Sequence, residues 1–384
     1  MLLRRLELAD VRSYSRARLE LDAGVTLLLG PNAQGKTNLL EAVVRVATGG
    51  SHRVATDAPL VRAGTDAAVI RCLVETDAGR RRTVELQLGA GRARTRVDGQ
   101  DVRRAADGVG VLRVVLFAPE DLTIVRGDPT ERRRFLDDLL AQRRPAYATA
   151  RAEYDRVLRQ RNQLLKRARG LSGEAREAAT STLQAWSEQL VVTGSALVAA
   201  RTAAVRTLAG PVDRFYRDLA DRPERVSLHY RSTVGDVVDD ERTVPETAPI
   251  QAAFRDRLAE VAADERDRGV TLVGPHRDDL ELRIGSLPAK GYASHGEAWS
   301  LALSLKLATF EVLVEVGDRP VVLLDDVFAE LDEVRRAHLA EACRRFDQVL
   351  VTAAVEADVP LDGERWDVTL VEGVTTVVHR SEAA

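Results

Sequence analysis

The sequence predicts an α/β fold with an inserted, mainly helical lobe, and three observations carry the prediction. A short apolar strand, Leu27–Leu29, runs into a glycine-bearing loop and then a helix in "LLLGPNAQGKTNLLEA". A second apolar strand, "RPVVLLDD", lies far downstream and ends in two carboxylates. Between them, from Pro129 to about Ala220, the chain turns to long Ala/Leu/Arg/Glu stretches with helical spacing. These features place an α/β head in residues 1–125 and 260–384 and the inserted lobe in 126–259.

"LLRRLELADV" and "ARLELDAGV" read as strands leading to the loop. Gly30-Pro31-Asn32-Ala33-Gln34-Gly35-Lys36-Thr37 then fits G-x-x-x-x-G-K-[ST], a phosphate-binding loop, and its flanks supply the strand and helix that the motif requires. Backbone N–H groups and the new helix end attract phosphate oxygens. Lys36 stands out because the chain's 56 Lys and Arg include lysine only at Lys36, Lys166, Lys290 and Lys306. A compact ammonium sits between two phosphates as a point charge, where a planar guanidinium is too bulky. The Thr37 hydroxyl is placed to ligate Mg²⁺. The loop thus predicts a nucleoside triphosphate ligand with Mg²⁺.

From Ala68 to Val102, "AVIRCLVET", "RTVELQL" and "ARTRVDG" read as a meander separated by turn residues. "LRVVLF" is a further strand, ended by Ala118-Pro119-Glu120-Asp121. After the helical region, Asp236 to Pro249 reads as a polar loop or weak strand, and strands resume at "GVTLVG" and "LELRIG". A helix from Gly296, the strand "VVLLDD", another helix and "QVLVTAA" complete the head.

Composition excludes several classes. Cys72 and Cys343 are too few for a disulfide framework or a zinc site, which favours a reducing, cytoplasmic setting. "MLLRRLELADVRSY" lacks a signal-peptide apolar core, and no run of about 18 apolar residues is present. The net charge of −3 neither demands nor forbids a nucleic-acid partner.

Asp325 and Asp326 close the second strand in a Walker B arrangement. Asp325 is expected in the Mg²⁺ shell, and Asp326 is placed to orient or deprotonate the attacking water. Asp326 and Lys36 are therefore the expected catalytic pair. "DDVFAELD", Asp325 to Asp332, resembles the Walker B and D-loop of ABC-type ATPases. Ser294-His295-Gly296-Glu297 opens a long helix and resembles the ABC signature. There the Ser294 hydroxyl, the Gly296 N–H and the helix dipole form a second anion site. His276, Asp278 and Asp279 read as a polar turn rather than a metal site, since their spacing fixes no metal geometry. In the basic stretch Glu131 to Arg169, the residues Arg156, Arg159, Arg161 and Lys166 can form helical stripes facing DNA phosphates.

Taken together, "DVRSYSRARLEL", "GPNAQGKTNLLEA", "LFAPEDL", "GDPTERRRFLD", "TLVGPHRDDLEL", "GEAWSLALSLKLA" and "LLDDVFAELD" closely resemble the RecF family of bacterial recombination mediators across nearly the whole chain. The resemblance implies an ABC-type, Rad50/SMC-like P-loop ATPase head without a long coiled coil, with ATP as the nucleotide. It implies a weak, DNA-stimulated ATPase that forms an ATP-dependent homodimer, a clamp at gapped or single-stranded DNA in repair, replication restart and the SOS response. RecR is the implied partner, with RecO and the loading of RecA downstream. Several positions depart from the ABC pattern and favour slow hydrolysis. Glu297 stands where Gln is usual, Asp326 where Glu is usual, Glu120 where many relatives have Gln, and Thr352 where a switch histidine is expected. A transporter-coupled ATP-binding subunit or another SMC-like ATPase is the alternative; the long insertion and its basic helices oppose the first, and the insertion is too short for SMC arms. A P-loop kinase would need no signature helix or "ELD" loop.

Overall fold

The computed structural model describes residues 1–89, 93–102, 108–220, 224–235 and 246–380. Its strands are β1 (Leu2–Val11), β2 (Tyr14–Glu20), β3 (Gly24–Leu29), β4 (Ala67–Glu75), β5 (Arg81–Gly89), β6 (Arg94–Val97), β7 (Gln100–Asp101), β8 (Val114–Phe117), β9 (Val226–Arg231), β10 (Asp279–Ile284), β11 (Leu287–Pro288), β12 (Val321–Asp325), β13 (Gln348–Ala353), β14 (Glu364–Val371) and β15 (Val374–His379). The helices are α1 (Lys36–Thr48), α2 (Leu122–Arg126), α3 (Pro129–Arg143), α4 (Pro145–Ala168), α5 (Gly173–Leu219), α6 (Thr247–Glu260), α7 (Ala262–Arg268), α8 (Ala289–Tyr292), α9 (His295–Val314), α10 (Val327–Glu330) and α11 (Glu333–Cys343).

The head has two sheets. An antiparallel sheet runs β2-β1-β4-β5-β6-β7, and a largely parallel one runs β15-β14-β3-β13-β12-β8. Strands from both chain ends thus interleave in one sheet. The parallel strands run apolar because both faces are covered. Leu28, Leu323 and Leu350 point to the core shared with α1 and the antiparallel sheet. Leu27, Leu29, Val322, Leu324, Val349 and Val351 point to a second core shared with α3, α5 and α9. Burying each such side chain stabilises the fold by about 1.5–3 kcal/mol.

One expected strand is not formed, and a small third sheet bridges the expected boundary. This sheet, β11-β10-β9, pairs Val226–Arg231 with Asp279–Ile284 in antiparallel register, so segments on either side of residue 260 share one sheet. The expected strand "GVTLVG" is instead an irregular buried segment. Side chains replace a neighbouring strand there: Asn162 accepts from Thr271 N, Glu265 from Leu272 N, and the Thr233 hydroxyl from Gly274 N. Residues 236–245 of the expected polar loop lie outside the described residues. Among the described residues no helix is long and apolar enough to cross a membrane.

Candidate nucleotide-binding site

Strands β3, β8, β12, β13 and β14 are parallel neighbours, so their C-terminal ends share one sheet edge, where open α/β sheets bind ligands. The phosphate loop follows β3, Asp325 ends β12, Thr352 lies near the end of β13, and the Ala118–Asp121 segment follows β8. The register sets Asp325 opposite Thr352, and Thr352 opposite Leu28. Topology, not sequence proximity, assembles these groups.

The loop's backbone is bent by Ala33 and Gly35, at φ 64° and 103°, and Gly35 caps α1. Glycine is required at 30 and 35 by close approach. A Cβ at Gly30 would lie 2.2 Å from the Val368 carbonyl oxygen, and one at Gly35 2.9 Å from the Thr375 hydroxyl. Lys36 is only 3% exposed and curls over the loop, donating to the Gly30 and Pro31 carbonyls at 2.7 and 3.0 Å. Burial pushes its pKa down, opposed by the nearby Asp326 and Asp325. The ammonium is thus largely stripped of water, which strengthens its attraction for phosphate oxygens.

Opposite it, Asp325 is 4% exposed and accepts hydrogen bonds from Thr37 at 2.9 Å and Thr352 at 2.7 Å. Burial raises its pKa; the two hydroxyls lower it, and Asp326 and Glu120 raise it further. A buried carboxylate beside a threonine hydroxyl is a hard-oxygen donor pair that suits Mg²⁺, which takes few protein ligands and completes its shell with phosphate and water. Asp326 adopts a left-handed conformation, φ 49°, uncommon for a non-glycine residue, and its N–H donates to the Thr352 hydroxyl at 2.9 Å. Thr352 therefore braces the Asp325 carboxylate and the Asp326 backbone from the position expected to hold a switch histidine.

Sequence reasoning missed the residues that hold the loop. Because β14 ends at the same edge, the β14–β15 hairpin clasps it. Leu370 N donates to the Gln34 side chain at 2.6 Å, and the Thr375 hydroxyl lies within hydrogen-bonding reach of the Gln34 carbonyl and of the Ser13 hydroxyl. Tyr14 donates to the Gly35 carbonyl at 3.1 Å. "VRSY" signalled resemblance, yet nothing local in it says that Ser13 and Tyr14 lie beneath a loop some twenty positions on.

Ser294 caps α9 in a capping box: its hydroxyl accepts from Glu297 N at 3.3 Å, and Glu297 accepts from Ser294 N at 2.8 Å. A carboxylate suits that reciprocal role and the positive helix end, which accounts for Glu297. No hydrogen bond joins Ser294 or Gly296 to the phosphate loop of the same chain among the described residues. Both Ser294 and Tyr292 face solvent, the latter 66% exposed.

The basic stripe divides. Arg156, Arg159 and Lys166 are exposed, and Arg156 pairs with Glu153. Arg161 does not belong with them. It is 3% exposed and binds Glu265 at 2.6 Å, Thr271 at 2.8 Å and Ser187 at 3.0 Å, so its charge faces the lobe's interior. His276, Asp278 and Asp279 form structural contacts: His276 with Tyr154, Asp278 with Tyr230, Ser232 and Thr233, and Asp279 with the Arg132 fork. No metal-binding cluster of three or more His, Cys, Asp or Glu is present among the described residues.

The fold and this site define a P-loop ATPase head of the ABC and SMC type. The chain belongs to the RecF family. Residues 2–372 match the RecF/RecN/SMC N-terminal domain. A DNA replication and repair protein RecF from Kineococcus radiotolerans is 51% identical over 375 residues, covering 94% of this chain and 95% of the relative. The solved structure of the recombination mediator protein RecF-ATPrS in the RecFOR pathway superposes with a TM-score of 0.88 at 28% identity, covering 99% and 98% of the two chains. The RecF-ATP structure of the same pathway gives 0.87 at 28% identity, covering 99% and 97%.

Proposed function

We propose that this chain is an ATP-gated DNA clamp of recombinational repair and replication restart, assembled when two copies enclose ATP. One observation carries the reading. Lys36 is buried beside Thr37 and Asp325, while Ser294 at the start of α9 is exposed and shares no hydrogen bond with that loop among the described residues. A second copy supplies the missing half, its Ser294 turn meeting the γ-phosphate. Bound Mg²⁺, held by Thr37 and Asp325, would neutralise β- and γ-phosphate charge. Lys36 orients the phosphates, and Asp326 orients water for slow, DNA-stimulated hydrolysis, with Thr352 holding its backbone. The exposed Arg156, Arg159 and Lys166 contribute to phosphate-backbone contacts.

The likeness to RecF structures of the RecFOR pathway supports ATP as ligand; RecR as partner, with RecO, RecA loading and the SOS response downstream, completes the proposed context. The test is sedimentation of the chain with ATP, with ADP and without nucleotide, beside titration on single-stranded, duplex and gapped DNA. ATP-specific dimers and ATP-dependent DNA affinity are expected. A dimer equally strong in ADP overturns the gated clamp.

A further inference from the structure

We propose that Arg335 is a positioning residue that locks the Ser294–Gly296 helix end to the Leu331–Asp332 turn, so that both meet a partner subunit's nucleotide as one rigid surface. The proposal rests on the dimeric reading above and names the part that makes the second half-site stiff.

Arg335 lies in the first turn of α11 and is 7% exposed. Its backbone N–H donates to Asp332 at 2.9 Å, and its guanidinium also pairs with the same carboxylate. Its Nε donates to the Ser300 hydroxyl at 2.8 Å. Ser300 is fully buried, one turn of α9 beyond Gly296 on the same face, and its hydroxyl donates in turn to the Leu219 carbonyl at 3.3 Å. One guanidinium thus connects α11, α9 and the end of α5.

Gly296 itself shows what Arg335 needs. Its φ is not positive, so the backbone does not require glycine there. A Cβ at this position would lie 2.9 Å from one guanidinium nitrogen of Arg335 and 3.1 Å from its central carbon. The absent side chain is the space in which the guanidinium lies. A cation beside the positive end of α9 is electrostatically unfavourable alone. Asp332 offsets it, and the pair braces the helix end next to the exposed Ser294. A planar fork makes the two bonds in one fixed geometry; a single ammonium cannot reproduce it.

The test compares Arg335→Ala, Arg335→Lys, Gly296→Ala and the Arg335→Ala/Gly296→Ala double variant. ATP affinity of the monomer, read with a fluorescent ATP analogue, should stay at the wild-type value and reports an intact fold. The dimer dissociation constant in ATP should rise, and kcat should fall roughly tenfold to hundredfold with KM unchanged, as expected for a misplacement of about 1 Å. Arg335→Lys should fall between wild type and Arg335→Ala. Gly296→Ala should match Arg335→Ala, and the double variant should be no worse than either, because both act on one contact. Additive losses overturn the proposal, since Gly296 then acts on its own. Arg335→Ala with wild-type dimerisation and kcat also overturns it. A wild-type chain that stays monomeric in ATP overturns the dimeric reading and this proposal with it.

Discussion

The Thr37 hydroxyl donates to Asp325 at 2.9 Å, joining residues 288 positions apart. That bond closes the site, because the motif that binds phosphate and the strand that ends in carboxylates become one donor set. Asp325 is buried with a raised pKa, first through burial, so its charge is costly until a cation arrives. Asp325→Asn should therefore raise the melting temperature of the nucleotide-free protein. It should also abolish the added stability from Mg²⁺ and ATP, about 2.7 kcal/mol at a hundredfold excess over Kd. Thermal scans with and without Mg²⁺ and ATP decide it; a retained ligand shift would show that Asp325 is not in the metal shell.

Lys36→Arg keeps the charge, so an argument from charge alone predicts little change. The geometry predicts loss. The Gly30 and Pro31 carbonyls close on the ammonium at 2.7 and 3.0 Å, and the wider guanidinium must displace either the loop or the γ-phosphate. ATP-dependent dimerisation and hydrolysis should disappear while residual ATP binding persists. Wild-type sedimentation of this variant in ATP would refute the account.

Arg159 and Arg161 should separate cleanly. Arg161→Glu places a carboxylate against buried Glu265, and breaking such a buried pair costs on the order of 3–5 kcal/mol. It should lower the melting temperature whatever DNA is present. Arg159→Glu should leave stability unchanged, weaken DNA binding and flatten its salt dependence. Equal melting temperatures for the two variants would mean that the Arg161 network contributes little.

His276 makes stability pH-dependent. Burial pushes its pKa down to about 4 from 6.5, with its hydrogen bond to Thr271 opposing and Arg277 reinforcing the shift. The unfolded chain binds the proton first, so stability is present above pH 6.5 and is lost as pH falls from 6.5 towards 4. The loss from this group reaches about 1 kcal/mol near pH 5.5. Urea unfolding at pH 7.5 and 5.5 should show a smaller drop for His276→Gln than for wild type; identical drops would assign the dependence to other groups.

The phosphate loop, the Walker B strand and the helix start at Ser294 were legible in the sequence because each is a contiguous pattern whose chemistry is local. A glycine loop between strand and helix, an apolar run ending in two aspartates, and Ser-x-x-Glu before an apolar helix each satisfy their own backbone. Arg161 was misread for a related reason. Arg156, Arg159, Arg161 and Lys166 share a composition, but helical phase alone does not say which face meets Glu265 from α7.

By itself, then, the sequence determined that both chain ends build one α/β head around a triphosphate loop, since apolar period and loop chemistry are short-range properties. The tertiary structure decided the rest, through contacts between distant segments. Pairing of β9 with β10 joined segments on either side of residue 260 in one sheet. Parallel packing of β14 on β3 brought Thr375 to Gln34 across 341 positions. The fit of a guanidinium into the space beside Gly296 joined α11 to α9. Such contacts depend on which surfaces meet after folding, and a hydrogen bond formed across hundreds of residues leaves no periodicity in the chain that makes it.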